Sequence, residues 1–129
     1  MASPSLTSET LGDETRVMPV IGFVIPILPG KVDEHRHLDE ELMGSRREEY
    51  QESRRRLGIH REAAWHQETP DGTVAVVYIE ADDPGTAMAG MGSSEEPFDR
   101  WFRERISDIF GLDLTQPPPP LVQTLDASF

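Results

Sequence analysis

Apolar and polar positions follow three different rhythms along this chain. From Val17 to Leu28 nearly every residue is apolar: Val-Met-Pro-Val-Ile-Gly-Phe-Val-Ile-Pro-Ile-Leu. Strict alternation would leave one wet face, whereas a continuous run predicts a strand covered on both faces. Pro19 and Pro26 lack an N–H and belong near its ends or on an unpaired side. Pro29-Gly30 breaks the run, and from Val32 to Leu57 the period becomes helical, with Asp33 and Glu34 suiting the positive end of the helix dipole. At about 100° per residue, Val32, Leu38, Leu42, Met43, Tyr50 and Leu57 gather on one arc. Gly58 is placed to end this single long helix.

Beyond it the period falls to two. His60 to Glu68 and Thr73 to Ala81 read as strands joined by Thr69-Pro70-Asp71-Gly72, a hairpin signal. The first alternates Arg61, Ala63, Trp65, Gln67 against Glu62, Ala64, His66, Glu68, which suits a position near a sheet edge. The second places Val74, Val76, Tyr78 and Glu80 opposite Ala75, Val77 and Ile79. Asp82-Asp83-Pro84 opens a short helix, Gly85 to Met91. Ser93 and Glu96 stand at capping-box spacing before a helix whose face is Phe98, Trp101, Phe102, Arg105, Ile106 and Ile109, ending near Gly111. Asp113 to Pro120 reads as an extended connector, and Leu121 to Leu125 as a short last strand at a sheet edge. Residues 1–15 read as a disordered tail and 16–126 as one domain. Strand, helix, strand, strand, helix, strand is the split βαβ pattern: an α+β fold with a four-stranded antiparallel sheet and two helices on one face. The other sheet face is also apolar, and a second copy is its simplest cover, so a homodimer is expected.

Composition narrows the functional classes. The chain has 129 residues, a formal net charge of -12 and no cysteine. Nucleic acid and anionic membrane are poor partners for such a surface. Disulfides, thiolate metal sites and thiol nucleophiles are excluded. No basic, apolar leader and no long apolar run is present, which predicts a cytoplasmic protein. Neither His35 with His37, about 200° apart on a helix, nor His60 with His66 on a strand can share one ion, and phosphate-cradling glycine loops are missing. No metal and no other cofactor is expected.

Candidate chemistry lies where the long helix breaks its own pattern. His35, Asp39, Arg46 and Ser53 fall within the apolar arc, and an unpaired buried polar group costs about 1–3 kcal/mol. Such a stripe suits a wet or ligand-filled cleft. His35 and Asp39, one turn apart, form a general acid–base pair or a surface ion pair. Arg46 and Tyr50 either hold a developing oxygen charge or are a snorkelling arginine beside a core tyrosine. Tyr78 and Glu80 share a strand face, and Trp65, Trp101 and Phe102 wall a pocket or pack a core. The basic stretch from Arg46 to Arg56 reads as a solvated face before a phosphate patch.

The order of elements, the Pro29-Gly30-Lys31-Val32-Asp33-Glu34 opening of the long helix and the Gly72 hairpin together resemble the ferredoxin-like dimeric α+β barrel superfamily, which includes the antibiotic-biosynthesis monooxygenases. The resemblance covers about residues 17–126 and implies a pocket between the helices and the sheet of one subunit. Two functions follow as expectations. One is a cofactor-independent cyclase, isomerase or monooxygenase acting on an apolar carbonyl- or phenol-bearing molecule. In it His35 or Glu80 moves the proton, Arg46, Tyr50 and Tyr78 stabilise oxygen charge, and Asp39, Ser53, Trp65, Trp101 and Phe102 bind substrate. The other is a non-catalytic homodimer that binds a small molecule or serves as an accessory protein.

Overall fold

In the computed structural model, which describes residues 18–129, a short sheet carries helices on one face only. The expected tail, residues 1–15, lies outside the described residues. Strand β1 spans Val20–Pro26, β2 spans Ile59–Thr69 and β3 spans Gly72–Ala81. Helices α1 (Val32–Met43) and α2 (Arg47–Arg56) join β1 to β2. Helices α3 (Pro84–Ser93) and α4 (Pro97–Phe110) follow β3.

The sheet has three strands in the order β1-β3-β2, both pairs antiparallel. This corrects the four-stranded sheet with two helices expected from the sequence. Leu121 to Leu125 forms no strand and is exposed throughout. The segment follows Pro117 to Pro120, which have no N–H to donate and stiffen the chain in an extended form. Among the described residues the helices number four, for two reasons. Asp83 caps α3 by accepting from the Thr86 N–H at 3.1 Å, with Pro84 at the first helical position, so that segment is a complete helix. The expected single helix also breaks at Gly44-Ser45-Arg46, where the Arg46 N–H reaches back to the Glu41 carbonyl at 2.8 Å instead of continuing the regular ladder. A fresh N-terminus then favours Glu48 and Glu49 in its first turn, and Arg54, Arg55 and Arg56 suit its last.

The strand faces divide sharply. Ile21, Phe23 and Ile25 of β1 turn towards the helices together with Ala75, Val77 and Ile79 of β3 and Glu62, Ala64 and His66 of β2. Leu38, Leu42, Ala87, Met91, Phe98, Phe102, Ile109 and Phe110 fill the space between these layers. The space beneath the long helix is therefore filled by hydrocarbon from α1 towards α4 and by a polar layer under α2. The other sheet face carries Val20, Val24, Trp65, Val76 and Tyr78 with no helix of the described residues over it, and Val24 and Trp65 are 60% and 57% exposed. The turn into α1 is pinned to α4: the Leu28 N–H donates to the Ile109 carbonyl at 3.0 Å, and Lys31 Nζ lies 3.2 Å from Asp108.

Candidate functional site

The polar residues of the inner face converge where α1 crosses the edge strand β2. His35, on the second turn of α1, is 5% exposed and packs edge-on against Phe110 at 5.1 Å between ring centroids. Its Nδ1 lies 2.6 Å from Nε2 of His66, a hydrogen bond between two imidazoles from elements far apart in sequence. On its other side, His35 Nε2 lies 3.8 Å from Asp39 Oδ2. These three residues, with Arg36, Glu40, Ala64 and the Trp65 segment of β2, line an open cleft of about 390 Å³.

Which ring donates depends on the tautomers: with a proton on His35 Nε2, facing Asp39 Oδ2 at 3.8 Å, His35 Nδ1 accepts from the His66 Nε2–H. His66 Nδ1 then keeps its lone pair. Burial, and then the neighbouring His66, push the His35 imidazole down to about 4. Burial, and then the Arg36 guanidinium, also lower His66, with Glu68 opposing them. Asp39 moves the other way, to about 6, because it is desolvated and lies near the Glu62 carboxylate. At neutral pH the pair is therefore two uncharged imidazoles.

A second polar cluster lies beside the first, under α2. The Tyr50 hydroxyl donates to Glu62 Oε1, and Arg54 Nε donates to Glu62 Oε2 at 3.1 Å. Burial, and then the Glu62 charge, raise the Tyr50 phenol above its ordinary value, so it stays protonated. The Arg54 guanidinium sits over the Tyr50 and Phe102 rings at 4.9 and 4.6 Å. Ser53, fully buried, donates to Asp99 at 2.5 Å, and Ser94 and Arg56 bind the same carboxylate. Each ion in this layer has a partner of opposite charge, while Arg54 Nη2 is buried without a hydrogen bond.

Of the residues singled out in the sequence, His35, Asp39 and Trp65 line the cleft. Tyr50 and Ser53 are held in the internal network, and Phe102 belongs to the core. Arg46, at the helix break, stacks over Trp101 at 3.9 Å and pairs with Glu49 at 3.2 Å, away from His35. Tyr78 donates to Glu80 at 2.6 Å on the helix-free face, where Trp65 also points. Sequence reasoning missed His66, Arg36 and Glu62. The two-residue period of β2 already placed Glu62 and His66 on one face, but nothing local says which α1 residue they meet.

Compared with known protein families, curated proteins and solved structures, the chain finds no match. The chemistry of the site has to be argued from its own atoms.

Proposed function

We propose that the protein is a cytoplasmic, cofactor-independent enzyme that moves a proton on a small, largely apolar carbonyl- or phenol-bearing molecule, in the manner of a cyclase or isomerase. The observation that carries this reading is the His35–His66 pair at 2.6 Å on the wall of the cleft. His66 Nδ1 is the base. His35 and Asp39 act as positioning residues that hold its tautomer, as a buried carboxylate orients an imidazole in other proton-transfer sites. The cleft of about 390 Å³ suits a small ligand, for which sites of about 300–1,000 Å³ are usual. Arg46, Tyr50 and Glu80 take no part, because they lie outside the cleft.

The test is a thermal-shift screen of keto acids, phenols and sugars, run on the wild type and on His66→Ala. Any stabilising carbonyl compound is then followed by NMR in D₂O for exchange of the proton next to its carbonyl. The expected result is exchange that His66→Ala slows by about a hundredfold or more, the usual weight of a general base. Exchange at the same rate in both proteins would contradict the proposal.

The uncovered sheet face favours a second reading, a non-catalytic homodimer that binds small molecules or serves as an accessory protein. Val20, Val24, Val76 and Trp65 form an apolar surface there, and Arg61 and Glu80 give it charges of both signs. A two-fold axis placed between Arg61 and Glu80 would set each charge against its opposite in the copy.

A further inference from the structure

The same two imidazoles are arranged to do something a proton-transfer site does not require. We infer that His35 Nδ1 and His66 Nε2 form a two-histidine site for a divalent transition-metal ion of the zinc or copper class, with its remaining positions open to water or a small ligand.

The first support is convergence. Two ring nitrogens from α1 and β2 point at one another across 2.6 Å, with ring centroids 4.9 Å apart. A tetrahedral ion with bonds of about 2.0–2.1 Å separates its nitrogen ligands by roughly 3.3 Å, so the pair must open by about 0.7 Å. The buried His35 ring is held by Phe110, but His66 is partly exposed on an edge strand and can supply the movement by rotating. The second support is Asp39, behind the ring at 3.8 Å from His35 Nε2. A ligating histidine usually gives its other N–H to a carboxylate, which fixes the tautomer and makes the ligating nitrogen more basic. The third is charge. Asp39 and Glu40 line the cleft and Glu62 and Glu68 lie near its residues, against one cation, Arg36, which Asp33 already binds at 2.7 Å. That field favours a cation over an anion.

Among the described residues, no three or more His, Cys, Asp or Glu side chains form a group able to hold an ion. Two protein ligands leave the ion's remaining positions to water or a small ligand. Uncharged imidazoles bind the ion with no net proton release: the proton on His66 Nε2 moves to Nδ1 as Nε2 takes the metal. The lone pair assigned above to the base is thereby lost, so a bound ion silences proton transfer.

The experiment uses the full chain without an affinity tag, stripped with a chelator and titrated with Zn²⁺ by calorimetry, Co²⁺ by visible absorption and Cu²⁺ by electron paramagnetic resonance. None of these readouts needs a substrate, so a failed proton-transfer assay leaves the result intact. The expected result is a single ion per chain, with two nitrogen couplings in the copper spectrum. Affinity should fall by about tenfold or more in His66→Ala. It should not change in His37→Ala or His60→Ala, whose rings are exposed outside the cleft. Circular dichroism checks that His66→Ala, a change at a partly exposed position, keeps its fold. Absence of binding, binding that survives His66→Ala unchanged, or binding lost with His37 would each overturn the inference.

Discussion

At Asp99 three donors meet one buried carboxylate: Ser53 at 2.5 Å, Ser94 at 2.5 Å and Arg56 at 3.0 Å. Burial alone would raise this acid, but the three hydrogen bonds and the Arg56 charge outweigh it and hold the group below its usual range. Its folded value thus lies under its unfolded one. The stabilisation it brings is complete above about pH 4 and disappears as the pH falls through the folded value. Asp99→Ala leaves Ser53 and Arg56 without their acceptor, and urea unfolding at pH 7 should show a loss of about 2–4 kcal/mol. Asp99→Asn should also flatten the acid limb of the stability curve, and a wild-type acid limb in Asp99→Asn would contradict this role. Asp99 was not singled out in the sequence, because an aspartate in the first turn of a helix looks like an ordinary partner for the dipole. His35 and Asp39 were legible, since a turn of helix brings them together whatever surrounds them. His66 was not legible as their partner, because its contact spans the chain from α1 to β2.

At the scale of elements, the hairpin was legible, and so were the edge position of β2 and the last helix. Pro70-Asp71-Gly72 and the period-two runs fix those locally, with Gly72 at a φ of 125°. The long helix was misread because its arc continues through Gly44 and Ser45, while the backbone there turns on hydrogen bonds that no side-chain pattern records. That turn moves Arg46 onto Trp101 and takes it out of the site. The expected last strand failed for a different reason. Leu121 to Leu125 has strand-like composition, but pairing depends on where the preceding prolines send the chain. The open sheet face gives this scale its prediction. If a second copy covers Val24 and Trp65, sedimentation at micromolar concentration should find a dimer that Trp65→Glu converts to a monomer, since a charge in such an interface has no partner. A monomeric wild type would remove the homodimer reading and leave the cleft untouched.

For the whole molecule, a formal net charge of -12 surrounds a cleft in which the cation Arg36 lies close to two neutral histidines. Among the described residues no helix is long and apolar enough to cross a membrane. The helices, all on one side of the sheet, pack its inner face solidly everywhere except along the β2 edge, and there the polar layer reaches solvent. The proposed chemistry thus lies at a margin of the fold, whereas the sequence pattern pointed to its centre. One spectrum tests this most directly: a long-range proton–nitrogen correlation of the histidine rings at neutral pH, in metal-free wild type and in His66→Ala. The account predicts His35 as the Nε2–H tautomer and a downfield, slowly exchanging proton between the two rings that vanishes in His66→Ala. Two independently averaging imidazoles in the wild type would contradict it.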